Sequence, residues 1–403
     1  MRLEEIEQNP IISFMNMERY VNFDVSFNDT FLGDLNKKYS SFHGDDYIDL
    51  LFFSVDKSLI SLIRSNNYIK KIGNQFIHDD VVSFPIHPQV FNSALSPELE
   101  ELVNQAKSHK IVKAIPASSM RTLFVQEEGE SFFVKTHFPK RISSINRELT
   151  QKDVFIGTYL VNELDHLANQ GNLPKYLGYI PDLFGCTYQK VGFLVRSYSS
   201  MPQTKTKYKM PLMSLVAFDK KIPNDKLLVE QLANKADKDV IDYYIDDVIT
   251  PHIKSWKYMI FELGRLFTAH GQNMVMEYDN NWNFTRIVYR DLQPKKLIPN
   301  FRKEKGFSDP EHFFNLKDMT MSEIKLFISA SYDFKLGYLL FDRAINVFKK
   351  SGFETSDISS RIKEVFDKEI GDYKSFFSPK LHHYRGFLDN KRIVALNETP
   401  KYR

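Results

Sequence analysis

Between Ile48 and Leu62 the apolar residues Ile48, Leu51, Phe52, Val55, Leu59 and Leu62 recur at the spacing of a helix with one core-facing stripe. Residues 1–84 as a whole read as short helices and loops. The run Phe84-Pro85-Ile86-His87-Pro88 closes this region, because its two prolines stop a helix from propagating. From Ile111 to Thr136 the pattern is that of strands. There Leu123-Phe124-Val125 and Phe132-Phe133-Val134 flank Gln126-Glu127-Glu128-Gly129-Glu130, which predicts a β-hairpin. Cys186-Thr187-Tyr188 and Phe193-Leu194-Val195 predict a further sheet region.

The polar stretch from Pro202 to Met210, with Lys205, Lys207 and Lys209, reads as a solvated connection rather than an anion site. After it the pattern is mostly helical. Ile253, Trp256, Ile260, Leu263 and Phe267 form one stripe, which is expected to end at His270-Gly271. Met274-Val275-Met276 and Arg286-Ile287-Val288-Tyr289 then predict two strands around an Asp279-Asn280-Asn281 turn, ending in Arg290-Asp291. The expected class is α+β, in three parts: a reduced helical segment over 1–84, a β-rich region over 85–205, and a mostly helical region over 206–403 that carries the second hairpin.

Composition narrows what such a chain can do. Its 403 residues are 42% hydrophobic and 26% charged, which fits a globular protein with a sizeable core. Lysine plus arginine (54) nearly balances aspartate plus glutamate (51), so the net charge of +3 gives no reason to expect a nucleic-acid or membrane partner. Cys186 is the only cysteine, which excludes intramolecular disulfides, cysteine-rich zinc sites and thiolate-held iron–sulfur clusters. The acidic start Met1-Arg2-Leu3-Glu4-Glu5 lacks the apolar run of a secretory signal, and a cytoplasmic location is expected.

Three clusters carry chemistry. Ser118-Ser119-Met120-Arg121-Thr122 is followed by Lys135 and Arg147, and hydroxyls beside a guanidinium suit phosphates or carboxylates. A solvated lysine and an ordinary loop would look the same. His270-Gly271-Gln272-Asn273 and Arg290-Asp291 bracket the second hairpin, where asparagine and aspartate oxygens suit a magnesium–nucleotide complex. A capped helix end with a buried histidine is the alternative. Pro85-Ile86-His87-Pro88-Gln89 holds a histidine that can equally pack between the prolines.

In their order, His87-Pro88-Gln89, Ser119-Met120-Arg121-Thr122, Lys135, Arg147, His270-Gly271-Gln272-Asn273 and Arg290-Asp291 resemble the motifs of the NRPS-independent siderophore synthetases of the aerobactin-synthetase type. The match is good over roughly residues 85 to 300, and Asn397-Glu398-Thr399-Pro400 loosely echoes a C-terminal Asn-Pro of the family. The resemblance implies a cupped-hand fold whose β-rich region binds ATP, Mg2+ and a polycarboxylic acid such as citrate. It implies adenylation of the acid, condensation with an amine or alcohol, a place in siderophore biosynthesis, and a homodimer as the oligomer to test. By the same resemblance Ser119, Arg121, Thr122, Lys135, Arg147 and His270 bind ATP, with His270, Arg147 and Lys135 catalytic. His87, Arg196 and Gln272 then face the substrate, and Asn273 and Asp291 serve the metal.

The chain departs from the family pattern in several places. Members are usually longer, with the extra length expected mainly at the N-terminus and carrying a Gly-His-Pro-x-His-Pro segment not found here. No tryptophan follows His87-Pro88, and Thr268 stands where a glutamate often precedes the His-x-Gln-Asn segment. Two other readings share some of these residues. A kinase-like phosphotransferase would also use a strand lysine and an aspartate at a hairpin end, but no glycine-rich loop precedes Lys135. The other is a non-catalytic siderophore-binding relative.

Overall fold

The computed structural model describes all residues except 24–31, 94, 143–144, 224, 294–295, 311–313, 315–316 and 386–391. Twelve strands build the two principal sheets. The first six are β1 (Ile48–Asp56), β2 (Ser61–Arg64), β3 (Val81–Ile86), β4 (Ser108–Pro116), β5 (Thr122–Glu127) and β6 (Glu130–Lys135). They are followed by β7 (Leu177–Tyr179), β8 (Asp182–Tyr188), β9 (Val191–Ser197), β10 (Tyr208–Pro211), β11 (Met274–Tyr278) and β12 (Phe284–Tyr289). The larger sheet has eight strands in the order β2-β8-β9-β6-β5-β4-β1-β3, antiparallel throughout. The smaller has the order β7-β12-β11-β10, and only its β7–β12 pair is parallel.

Alternation along the strands sends each sheet face to a different core. Leu123, Val125, Phe132 and Val134 join Phe76, Phe84 and Phe193 in one apolar cluster. Phe124 and Phe133 point the opposite way, into a cluster shared with α1 (Pro10–Tyr20), the smaller sheet and the helices that follow it. Lys135 shares a strand face with Phe133, so the ammonium emerges where the apolar cover of that face ends. On the neighbouring strand Arg196 is in register with Phe133.

The β5–β6 hairpin is as expected. Its turn is Glu128-Gly129, both at positive φ (53° and 77°), the combination that matches strand twist in a two-residue loop. The second expected hairpin is β11–β12; the Asp279 carboxylate accepts from the Asn281 and Asn283 amides in its turn.

Elsewhere the structure corrects the sequence reading. Ile48–Leu62 is not a helix but β1, a short 3-10 turn and β2. The buried residues there are Ile48, Leu50, Phe52, Phe53 and Val55, whereas Leu59 is 41% exposed, so the helical stripe does not exist as a face. Pro85 fits a strand because β3 is an edge strand, where a missing amide donor costs little. Strands from both sides of residue 84 share the larger sheet, and strands from both sides of residue 205 share the smaller.

The helix of Ile253 and Trp256 runs through α2 (Thr250–Lys257) and a π-helical turn, then stops at Gly264 (φ 60°) instead of reaching Gly271. Phe267 lies beyond that stop, after the two-residue strand Arg265–Leu266. In the 202–210 connection Lys205 and Lys207 are exposed, but Lys209 belongs to β10 and donates to the Tyr198 carbonyl at 2.9 Å. Among the described residues no helix is long and apolar enough to cross a membrane.

A cationic cleft between the two sheets

The cleft is lined by Glu18 of α1, Ala117, Ser118, Ser119, Arg121 and Thr122 of the β4–β5 turn, and Phe133 and Lys135 of β6. Arg147, Arg196 of β9, and Gln272, Asn273, Arg290 and Asp291 at the ends of the β11–β12 hairpin complete it. It therefore brings together nine residues anticipated from sequence: Ser119, Arg121, Thr122, Lys135, Arg147, Arg196, Gln272, Asn273 and Asp291.

Two tight turns supply its floor. In the first, the Met120 amide donates to the Ala117 carbonyl and the Arg121 amide to that of Ser119, with Met120 at φ 67° and its side chain fully buried. In the second, Asp291 sits at φ 59°, two residues past the end of β12. Left-handed backbone at residues other than glycine is held by surrounding structure and is often found at functional sites.

The two turns meet through charge. Lys135 Nζ donates to Asp291 Oδ1 at 2.5 Å, and Arg196 Nη2 donates to the same oxygen at 3.1 Å. Arg196 is anchored from behind by Asp182, whose Oδ1 accepts from Nε at 2.7 Å. Burial alone would raise the Asp291 carboxyl, but Lys135 and Arg196 outweigh it and hold the group well below the usual carboxylate range. Burial would likewise lower Arg196; Asp182 and Asp291 keep it above its ordinary value.

The remaining cations are less well matched. Burial lowers Lys135 despite Asp291, lowers Arg147, and lowers Arg121 to about 10 with Arg147 adding to the effect. Among the described residues, five cationic and two acidic side chains line the cleft, and the buried Ser119 hydroxyl and Arg147 Nε have no partner. Arg121 also has a supporting task, since its guanidinium donates to the carbonyls of Arg147 and Glu148. Buried polar atoms are nearly always satisfied in folded proteins. A wall with surplus positive charge and unpartnered donors suits a polyanion chemically.

For a divalent cation the donors are sparse but of the right type. Asn273 Nδ2 donates to the Thr268 carbonyl at 3.0 Å, which leaves the amide oxygen as the end suited to a cation. The Asp291 side chain is 37% exposed. Among the described residues there is no group of three or more histidine, cysteine or acidic side chains placed to hold a metal. One carboxylate and one amide oxygen fit Mg2+ that brings most of its coordination from phosphate and water.

Two anticipated residues are not on the wall. His87 is fully buried, edge-on to the rings of Tyr39 and Phe138 at 5.3 and 5.2 Å, with Nδ1 accepting from the Gln89 amide. Burial pushes it down to about 3, so it stands as a neutral residue packed in the core, away from the cleft wall. His270 lies on the turn of Gln272 and Asn273, its carbonyl accepting from the Asn273 amide, but does not line the cleft. Gly271 beside it allows a close approach, for a Cβ there would lie 3.0–3.1 Å from Met213.

Sequence reasoning missed Glu18, which is fully buried and accepts from both Ser118 and Arg290. The available signal was an acidic residue amid Phe14, Met15 and Met17, on a stretch whose neighbours are apolar.

Residues 36–216 match the model of the IucA / IucC family, a span that starts and ends earlier than the 85–300 expected from the motifs. No curated protein matches the chain in sequence. Among solved structures it resembles the ATP-bound aerobactin synthetase IucA of Klebsiella pneumoniae, with TM-score 0.68 and 15% identity, covering 98% of this chain and 80% of the other. It resembles the petrobactin biosynthesis protein AsbB of Bacillus anthracis with TM-score 0.66 and 14% identity, over 93% and 76% of the two chains. For the aerobactin synthetase IucC of Klebsiella pneumoniae the values are 0.65 and 12%, over 89% and 71%. At such identities the structural likeness is one of fold. The sequence match over residues 36–216 and the fold shared with these synthetases agree with the resemblance to the IucA / IucC family read from the ordered motifs.

Proposed function

We propose that this chain is an ATP-dependent synthetase that adenylates a polycarboxylic acid, citrate or a similar one, and condenses it with an amine or alcohol in siderophore biosynthesis. The observation that carries this reading is the surplus of buried cations around the unpartnered Ser119 hydroxyl and Arg147 Nε. ATP as the polyanion is supported by the nucleotide in the Klebsiella pneumoniae IucA structure, and the siderophore class by the aerobactin and petrobactin named for the relatives.

In the first half-reaction a carboxylate oxygen of the acid attacks the α-phosphorus of ATP. The bond to the bridging oxygen breaks, pyrophosphate leaves, and an acyl-adenylate forms. Lys135, Arg121 and Arg147 neutralise the charge that builds on the phosphates, and donors already in place act without reorganisation. In the second half-reaction the amine or hydroxyl attacks the acyl carbon, loses its proton, and expels AMP. Arg196 and Gln272 are assigned to the acid. His270, two residues before Gln272, is assigned near the reacting carboxylate on the family resemblance alone.

A bound Mg2+ would supply positive charge at the phosphates of the nucleotide. Asp291 and Asn273 are the residues that would hold it. Asp291 also accepts from Lys135 and Arg196 and so ties their positions together.

Replacing Lys135 or Arg147 by alanine tests the phosphate assignment. Loss of a positioned cation from a desolvated phosphate site costs about 10²-fold in turnover. Both variants should show that loss in AMP formation. A rise in the KM of the acid alone, with turnover intact, would move the two residues to the acid pocket.

A further inference from the structure

We infer that Glu18 is the positioning residue of the cleft: from α1 it fixes the β4–β5 turn and the end of β12 in one arrangement. This deepens the phosphate-binding reading above and rests on it.

Glu18 is fully buried, on a helix far in sequence from the residues it meets. Its Oε2 accepts from the Ser118 amide at 3.1 Å and from the Ser118 hydroxyl at 2.5 Å. Its Oε1 accepts from Arg290 Nη2 at 2.5 Å. Arg290 Nε donates to the Gln272 carbonyl at 2.9 Å, and Gln272 Nε2 returns to the Ser118 hydroxyl at 3.0 Å. The four residues form a closed ring, completed through the Gln272 main-chain carbonyl, that ties three chain segments together. Each segment leads into the cleft: Ser118 precedes Ser119 and the left-handed Met120, and Arg290 precedes the left-handed Asp291.

The anchor of this ring is itself anchored. The neighbouring Arg19 donates to the carbonyls of Ser41, Asp45 and Asp46, and Asn22 Nδ2 donates to the Glu18 carbonyl at 2.7 Å. The end of α1 therefore cannot shift alone. A buried carboxylate is costly unless it is fully paired, and Glu18 repays that cost by fixing two turns whose backbone would otherwise relax. It acts through Ser118 and Arg290 on Ser119 and Asp291, which are the groups assigned to the ligand.

The test compares Glu18→Gln, which keeps the shape but removes the charge, with Ser118→Ala, which removes only the hydroxyl. Hydrogen exchange is followed at the Met120, Arg121 and Arg290 amides, which donate to Ala117, Ser119 and Asn273. Affinity for inorganic tripolyphosphate is measured alongside. We expect exchange at these amides to rise at least tenfold in both variants while the amides of β6 stay protected, and tripolyphosphate affinity to fall at least tenfold. The double variant should be within threefold of Glu18→Gln alone, because both changes open the same ring.

Unchanged exchange at these amides, or acceleration spread evenly over the molecule, would overturn the inference. If Glu18→Gln does not fold, Ser118→Ala decides by the same pattern. Failure of the unmodified protein to bind tripolyphosphate would sink the phosphate reading instead, and the exchange pattern would still decide whether Glu18 positions the turns.

Discussion

Burial decides what each titratable side chain contributes, and the histidines show it most simply. His87 and His252 are both fully buried, and burial lowers them to about 3 and about 4. In the unfolded chain they titrate near the ordinary 6.5. Because the folded values are depressed, the unfolded state binds more protons than the folded state below pH 6.5. Stability is therefore complete above 6.5 and is lost as pH falls toward 4, by up to about 1.4 kcal/mol per pH unit for each histidine. Denaturant unfolding at pH 7 and pH 5 should show this loss, and His87→Phe should show less of it. The same variant should keep its nucleotide turnover, because His87 is core. An unchanged pH slope, or a tenfold rise in the KM of the acid with normal stability, would return His87 to the substrate site. Its sequence motif could not decide between the two readings, since a histidine between prolines looks alike on a pocket wall and between the rings of Tyr39 and Phe138. Glu18 was hidden for a different reason: its partners lie 100 and 272 residues away, and no local spacing encodes that.

Among the elements, those set by local chemistry were the ones legible in the sequence. The β5–β6 and β11–β12 hairpins follow from alternation around a turn signal, and they position Lys135 and Asp291. The β1 strand was illegible because β1 buries both Phe52 and Phe53, so its apolar positions mimic the helical interval. The stop at Gly264 was missed because the stripe continues in Phe267, which is buried from a different element. The turn at Glu128-Gly129 offers a direct check on this level. Glutamate at φ 53° is strained, whereas asparagine tolerates the left-handed region and suits the first position of such a turn. Glu128→Asn should stabilise the protein by about 0.5–1 kcal/mol with unchanged activity. Thermal unfolding would measure it, and destabilisation would mean the turn geometry is wrong.

For the whole molecule, the arrangement of the sheets matters more than any single motif. The cleft exists because the end of the larger sheet, carrying Lys135 and Arg196, faces the end of a hairpin from the smaller sheet, carrying Asp291. Those residues were named from their order along the chain, but the ion pairs between them arise only when the sheets are assembled. The same assembly concentrates five cations where solvent is scarce, which calls for a ligand with several negative charges. Adenylation is reversible, so a suitable acid should drive exchange of labelled pyrophosphate into ATP before any nucleophile is added. The most direct measurement is this exchange with citrate, then with other di- and tricarboxylic acids and with monocarboxylic acids, in the presence of Mg2+. The account predicts exchange with at least one polycarboxylic acid, poor exchange with monocarboxylic acids, and its loss in Lys135→Ala. Formation of ADP without exchange, or exchange that ignores the charge of the acid, would contradict it.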